Sequence, residues 1–181
     1  MRTARSARAR VAAAVAVALV SVLGVLAGPP SSAGDELPPG IPDVSANRHY
    51  PPGPIIGNDV YAPTPQTVTK RLRAGAGTTW LVHFGNDAPA GFYHRMVPKG
   101  CKSRGNFRVT YSYQGVDMTS VFTSGADVFP PLGGGGGGGV YLTIKVKAGT
   151  PIGTQFSCAF SLRDVETGVK DTMTFVVVTR A

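Results

Sequence analysis

Histidines and carboxylates are the side chains in this sequence that could bind a metal ion or transfer protons. The three histidines are His49, His83 and His94, and no two of them have the spacing of a metal-binding motif. Neither an Asp-rich calcium loop nor a Gly-x-Ser-x-Gly nucleophile motif is present. The acidic residues that follow the leader mostly lie in predicted turns, namely Asp43, Asp59, Asp87, Asp117, Asp127, Asp164, Glu166 and Asp171. Glycoside chemistry would need two acids on facing strands. The sequence therefore predicts no catalytic set, no metal site and no cofactor, and hence no enzyme.

The charge distribution offers one candidate binding region. No acidic residue lies between Ala88 and Val116, and the same window contains several basic ones. The candidate binding residues are Arg95, Lys99, Lys102, Arg104 and Arg108. A basic patch of this kind can attract an anionic cell-envelope polymer or an acidic protein surface, and the alternative is a solvated loop.

The N-terminus has the pattern of a secretory signal peptide. Met1–Arg10 contains four arginines and no acid, and Val11–Leu26 is apolar or small throughout. Cleavage after Ala27 or after Ala33 fits the small residues that follow. The apolar run is shorter than the roughly 20 residues of a membrane-spanning helix, so no transmembrane segment is expected in the mature chain. We assign residues 1–33 to the signal peptide and residues 34–42 to a flexible leader, which predicts a secreted or cell-wall-associated protein.

Removal of the signal peptide changes the interpretation of the charge. The whole chain has 18 basic and 10 acidic residues, and loss of the four N-terminal arginines leaves a net charge of +4 rather than +8. This modest excess does not indicate nucleic-acid binding.

Cys101 and Cys158 are the two cysteines. In an exported protein such a pair most simply forms one disulfide, and two buried free thiols are the alternative.

Period-two alternation predicts strands along most of the mature chain. Clear examples are TTWLVHF, NFRVTYSY, VYLTIKVK, QFSCAFSL and TFVVVTR. Their predicted inward residues are Trp80, Val82, Phe84, Phe107, Val109, Tyr111, Tyr113, Val140, Leu142, Ile144, Val146, Phe156, Cys158, Phe160, Leu162, Phe175 and Val177. Alternation with turn residues between the strands is typical of antiparallel sheets, and no segment has a helical period. The sequence predicts one β-sandwich domain over residues 43–181, with seven to nine strands.

Seven consecutive glycines, Gly133–Gly139, run directly into one of these strands. A phosphate-binding loop would be followed by a helix, and here a strand follows. A domain boundary would leave only three strands after it and would separate the two cysteines. We therefore predict a slack loop between two strands of one domain.

Sugar binding would favour an exposed aromatic platform. Trp80 is the only tryptophan, and its position in the alternation places it in the core. Phe92, Tyr93, Tyr111 and Tyr113 are weaker candidates that also suit the core. A carbohydrate-binding module is therefore the alternative function rather than the main one.

The order of several segments resembles a known family. These segments are GNDVY, TVTKRLRAGAGTTWLVHFGND, FRVTYSYQGVDMTSVFTSG, PPLGGGGGGGVYLTIKVKAG and DVETGVKDTMTFVVV, within roughly Pro42 to Val178. They are similar to bacterial extracellular immunoglobulin-like modules of the cell-adhesion-related and alpha-galactosidase-associated types. The resemblance implies an immunoglobulin-like sandwich and a non-catalytic, adhesion-type role, and members can carry a cysteine pair at such positions. Such modules often occur in tandem or attached to an enzyme, whereas this sequence contains one copy.

Overall fold

A computed structural model describes residues 40–48, 56, 66–126 and 129–181. They belong to a compact unit that spans Glu36–Ala181. The strands are β1 (Pro42–Arg48), β2 (Gln66–Arg73), β3 (Gly77–Asn86), β4 (Tyr93–His94), β5 (Met96–Lys99), β6 (Phe107–Tyr113), β7 (Val116–Asp117), β8 (Leu132–Gly133), β9 (Gly136–Val146), β10 (Gln155–Asp164) and β11 (Lys170–Arg180). One helix, α1 (Thr119–Ser124), lies between β7 and β8. The predicted signal peptide lies outside the described residues. Gly40 and Pro42, at the end of the predicted leader, are buried in this unit.

Two main sheets form the fold. One has the strand order β1-β3-β9-β6-β7 and the other β2-β11-β10-β5, while β4 and β8 form a separate two-stranded sheet. The expectation of an all-β, mainly antiparallel protein is confirmed. The exception is the pair β2 and β11, whose strands run parallel. Eight of the strands in the described part of the chain are longer than two residues.

The core lies between the two main sheets and follows the predicted alternation. The inward positions of β9, namely Val140, Leu142, Ile144 and Val146, are all buried. Aromatic side chains join the sheets: the ring centroids of Trp80 and Phe175 are 5.2 Å apart, and those of Phe107 and Phe156 are 5.0 Å apart. Paired burial of this kind is the main favourable contribution to folding.

The predicted disulfide is confirmed between Cys101 and Cys158. Cys101 lies in the loop that leads from β5 to β6, and Cys158 lies on β10. The backbone N–H of Cys101 also donates a 2.6 Å hydrogen bond to the phenolic oxygen of Tyr111. Burial raises the pKa of the Tyr111 phenol, and this hydrogen bond opposes the rise. The loop is therefore attached to the core at one residue by a covalent bond and by a buried hydrogen bond.

Two details of the sequence prediction are wrong. Tyr113, predicted to point inward, is 48% exposed, because β6 ends there and its neighbour in the sheet is the two-residue strand β7. A helix, α1, was not predicted, because six residues are too few to show a helical period. Its buried residue, Phe122, packs against Tyr111 with ring centroids 5.2 Å apart.

The prediction of a slack glycine loop is also wrong. Gly133 belongs to β8, the chain turns at Gly134 and Gly135, and the remaining four glycines form the first part of β9, paired with β3. A Cβ atom on Gly134 would overlap the carbonyl oxygens of Ala88 and Pro89. A Cβ atom on Gly137 would lie 2.7 Å from the carbonyl oxygen of Phe84. Here glycine permits close approach of two backbones.

Candidate functional site: a basic end of the sandwich

The strand directions bring several chain segments to the same end of the sandwich. The parallel strands β2 and β11 finish together, with Arg73 opposite Arg180. The turn after β2 leads into β3, and it meets the end of β9 where the N–H of Val146 donates to the carbonyl of Ala76 at 2.8 Å. The N–H of Lys147 donates to the carbonyl of Asn106 at 2.8 Å, which brings the start of β6 to the same place.

This end carries a concentration of positive charge. We call it the basic end and define it by nine residues that lie on these strand ends and turns: Lys70, Arg71, Arg73, Lys102, Arg104, Arg108, Lys145, Lys147 and Arg180. All of them are exposed except Lys70, which is partly buried. Sequence reasoning found only Lys102, Arg104 and Arg108. It missed the other six because they come from three distant segments, and only the topology shows that those segments end together.

One part of the basic end is concave. A cleft of about 740 Å³ lies beside the ends of β2 and β11. Its lining consists of Lys70, Arg71, Leu72, Arg73, Ala76 and Arg180. Four of these six residues are cations, so the cleft lies in a region of positive potential.

Like charges lie directly opposite each other in both sheets at this end. Arg108 on β6 pairs with Lys145 on β9, and Arg73 on β2 pairs with Arg180 on β11. Like charges opposite each other on neighbouring strands destabilise a sheet. The arrangement is therefore not explained by fold stability, and it is the arrangement that a bound anion would relieve.

The loop with Lys102 and Arg104 is held in place by several bonds in addition to the disulfide. The Ser103 hydroxyl oxygen accepts a 2.8 Å hydrogen bond from the N–H of Val109. The Nζ of Lys147 donates to the carbonyl of Gly105 at 2.9 Å. A loop fixed in this way loses less conformational entropy when it binds a partner.

Most of the described carboxylates lie away from the basic end, and Asp117 is the exception. Asp43, Asp87, Asp164, Glu166 and Asp171 lie at the opposite ends of the same strands or in the adjoining turns. Asp117 lies on β7, opposite Ser112. Hydrogen bonds from the side chain and backbone of Thr119 lower the pKa of Asp117, and the nearby charge of Arg108 lowers it further.

Two of the predicted binding residues do not belong to the basic end. Arg95 precedes β5 at the opposite end, where its carbonyl accepts a hydrogen bond from the N–H of Val165. Lys99 lies midway, paired with Ser161 of β10. Because β5 is extended, the four residues from Arg95 to Lys99 span about 13 Å. Arg95 was grouped with Lys102 and Arg104 as a candidate binding residue, but for this reason it does not lie beside them.

The aromatic residues that the structure describes do not form a row on an exposed sheet face. Trp80 and Tyr111 are buried, as predicted. Among the described aromatic residues, Tyr93 and Tyr113 are the exposed ones, at 69% and 48%. Both lie away from the basic end, at the start of β4 and the end of β6.

A second group of polar residues lies at the opposite end. The side chains of His94, Asp164 and Glu166 approach one another closely enough to share one metal ion. No local motif connects them, since His94 is on β4 and the two acids are at the end of β10 and in the following turn. This is why the sequence predicted no metal site. Of the other histidines, His49 lies outside the described residues, and burial lowers the pKa of His83.

Within the part of the chain that the structure describes, no helix is both long enough and apolar enough to cross a membrane.

Comparisons with known proteins give only distant similarity. No protein-family model matches the chain, and no curated protein matches it. The structure of a family 123 glycoside hydrolase from Clostridium perfringens is similar with a TM-score of 0.45 and 7% identity, over 77% of this chain and 27% of that one. The N-terminal domain of PorA is similar with a TM-score of 0.38 and 11% identity, over 76% of this chain and 97% of that one. The chain thus spans about a quarter of the length of the glycoside hydrolase.

Proposed function

We propose that this protein is a secreted, non-catalytic, immunoglobulin-like β-sandwich module whose basic end binds an anionic polymer of the cell envelope. The observation that carries the proposal is the clustering of nine cations at one end of the strands, two pairs of them in direct register. Secretion is supported by the N-terminal sequence pattern and by the Cys101–Cys158 disulfide, since disulfides persist in oxidising compartments.

A repeating anion suits this surface better than a single small ligand does. Neighbouring strands are about 4.8 Å apart, so each main sheet presents one closely spaced pair of cations, and the two pairs form separate contact points rather than one closed pocket. Long-range attraction raises the association rate, and salt weakens it because the screening length is about 8 Å at physiological ionic strength. The exposed aromatic residues lie elsewhere, so the alternative, a carbohydrate-binding module for neutral sugars, has less support.

The test is sedimentation of the purified protein with isolated cell wall at low and high salt. The test variant replaces Lys102, Arg104 and Arg108 with Gln. The control variant replaces Arg95, Arg163 and Lys170 with Gln, which removes the same charge from residues away from the basic end. Near a densely anionic surface each cation contributes about 1 kcal/mol, so the test variant should bind on the order of 100-fold more weakly at low salt.

The control variant should bind within a few-fold of the wild type, and both variants should keep the wild-type stability because exposed charges contribute little to folding. Equal loss in the two variants would show that only net charge matters. Binding that salt does not change would refute an electrostatic function of the basic end. Binding to an acidic protein but not to the polymer would show that the partner of the basic end is a protein.

A further inference from the structure

The cluster of His94, Asp164 and Glu166 lies away from the basic end. The Nδ1 atom of His94 is 3.5 Å from Oδ2 of Asp164 and 4.0 Å from Oε2 of Glu166. His94 is 1% exposed and Asp164 is 0% exposed, whereas the side chain of Glu166 is 52% exposed. The cluster is therefore a buried pair with one ligand on the solvent side.

His94 is a buried imidazole without a hydrogen-bond partner in the described structure. Neither Nδ1 nor Nε2 makes a hydrogen bond. At 3.5 Å the oxygen of Asp164 is beyond the range of a good N–H···O bond. A buried polar group left in this state destabilises a fold, so such a group in a native protein calls for an explanation. A cation between the imidazole and the carboxylates would give Nδ1 its missing partner.

The carboxylate of Asp164 is already oriented toward the imidazole. Its Oδ1 accepts the N–H of Glu166 at 2.9 Å, while its Oδ2 accepts the N–H of Gly40 at 3.1 Å and the hydroxyl of Thr167 at 2.8 Å. Thr167 is exposed, so its hydroxyl can rotate away and leave a lone pair for a metal ion. Gly40 fits here because it lacks a side chain: a Cβ atom would lie 2.6 Å from Oδ2 of Asp164 and 2.9 Å from Cγ of His94.

The distances suit a small ion with tetrahedral coordination. Two ligands that are each about 2.1 Å from a tetrahedral zinc ion are about 3.4 Å apart. The distance from His94 to Asp164 already has this value, and a small rotation of the exposed Glu166 side chain would bring it into range. Calcium instead takes six to eight oxygen ligands, and a site with one imidazole and two carboxylates favours zinc or a similar transition metal.

We propose that His94, Asp164 and Glu166 bind one divalent transition-metal ion of the zinc class, which clamps β4, the turn after β10 and the chain at Gly40 together. The fourth coordination position faces solvent beside Glu166 and takes water. The role is structural, because the ion joins two chain segments that are 70 residues apart, and one of its ligands, Asp164, also holds Gly40 by a hydrogen bond. The site is independent of the anion binding proposed for the basic end.

The test uses the exported chain after treatment with a chelator. Dialysis against zinc chloride followed by elemental analysis should find one zinc ion per chain. Zinc at 100 times its Kd should raise Tm by about 5–10 °C. Calcium and magnesium at the same concentration should give little or no shift. Cobalt substitution should give the visible absorption bands of a tetrahedral site with nitrogen and oxygen ligands.

The variant Glu166→Gln removes the exposed ligand and leaves the buried residues in place. Its zinc affinity should fall at least about tenfold, since loss of a group that only orients a metal ligand already weakens binding by roughly 10- to 100-fold. Asp117→Asn is the control, because it removes the same charge from an exposed carboxylate on β7, the edge strand of the other main sheet. No zinc-dependent rise in Tm for the wild type, or equal zinc affinity in Glu166→Gln and the wild type, would overturn the proposal. An equal rise with calcium would overturn the choice of metal.

Discussion

Single alanine variants in the glycine run test whether the fold requires the close approach of β9 to β3. If Gly133–Gly139 were a slack loop, alanine would be tolerated at each of its positions. In the structure, Gly137 lies in β9 opposite Gly85, and a Cβ atom on it would lie 2.7 Å from the carbonyl oxygen of Phe84 and 3.1 Å from Cα of Gly85. Both contacts are with backbone, so the added methyl group cannot be accommodated by rotation of a side chain.

We therefore expect Gly137→Ala to destabilise the protein. Overpacking typically destabilises a fold by about 1–3 kcal/mol. Replacement of glycine by alanine in a strand offsets roughly 0.5 kcal/mol of this, because alanine loses less conformational entropy on folding. The net loss should be roughly 1–2 kcal/mol, or a decrease in Tm of about 3–8 °C for a domain of this size. The variant Gly139→Ala is the control. Its Cβ atom would lie 3.2 Å from the terminal Cδ1 of Leu81, a partly exposed side chain that can rotate, and 3.5 Å from the carbonyl oxygen of Val82, an ordinary contact distance.

Urea unfolding followed by tryptophan fluorescence measures both variants, since the single tryptophan, Trp80, is 5% exposed and becomes solvated on unfolding. The Gly139→Ala variant should stay within about 0.5 kcal/mol of the wild type. If Gly137→Ala also stays within that limit, the close approach of β9 and β3 is not required, and the run is the tolerant loop that its composition suggests.

Two further variants test buried polar groups. Tyr111→Phe should lower the unfolding free energy by about 1–3 kcal/mol with an unchanged urea m-value, because the N–H of Cys101 loses its 2.6 Å partner in the core; a loss below about 0.5 kcal/mol would mean that water replaces the phenol. Burial raises the pKa of Asp171, against hydrogen bonds from the N–H groups of Val44 and Thr172. Its contribution to stability should therefore be fully present below its unfolded pKa and decrease as the pH rises through its folded pKa. The stability of the wild type relative to Asp171→Asn should fall over that range in urea titrations at successive pH values, and a constant or rising difference would contradict the raised pKa.

The core and the disulfide could be predicted from the sequence, and the reason is the same for both. Alternation in a strand fixes which side chains share a face, so Val140, Leu142, Ile144 and Val146 could be placed inward without knowledge of their neighbours. Two cysteines in a chain with an export pattern leave few alternatives. These inferences use local period and composition, and they do not depend on which strands are adjacent.

The candidate sites are formed by residues from strands that are neighbours in the fold but distant in sequence. For this reason the sequence showed only part of each site. Lys102 and Arg104 were found because they are close together in the chain, whereas Arg73 and Arg180 meet only through the parallel pairing of β2 with β11. Arg95 was grouped with Lys102 because the two are close in sequence. The extended strand β5 lies between them, so they are far apart in space. His94 and Asp164 are seventy residues apart, and no spacing rule relates a two-residue strand to the end of β10.

The acidic and the basic residues have different environments in this fold. Several described carboxylates accept hydrogen bonds within the fold: Asp164 accepts from Gly40, Glu166 and Thr167, and Asp171 accepts from Val44 and Thr172. Asp164 and Asp171 are buried, which removes much of their charge from the surface that a partner meets. Most of the basic end is exposed. The net charge therefore understates the positive potential at the basic end, and for the function proposed above the position of the cations should matter more than their number.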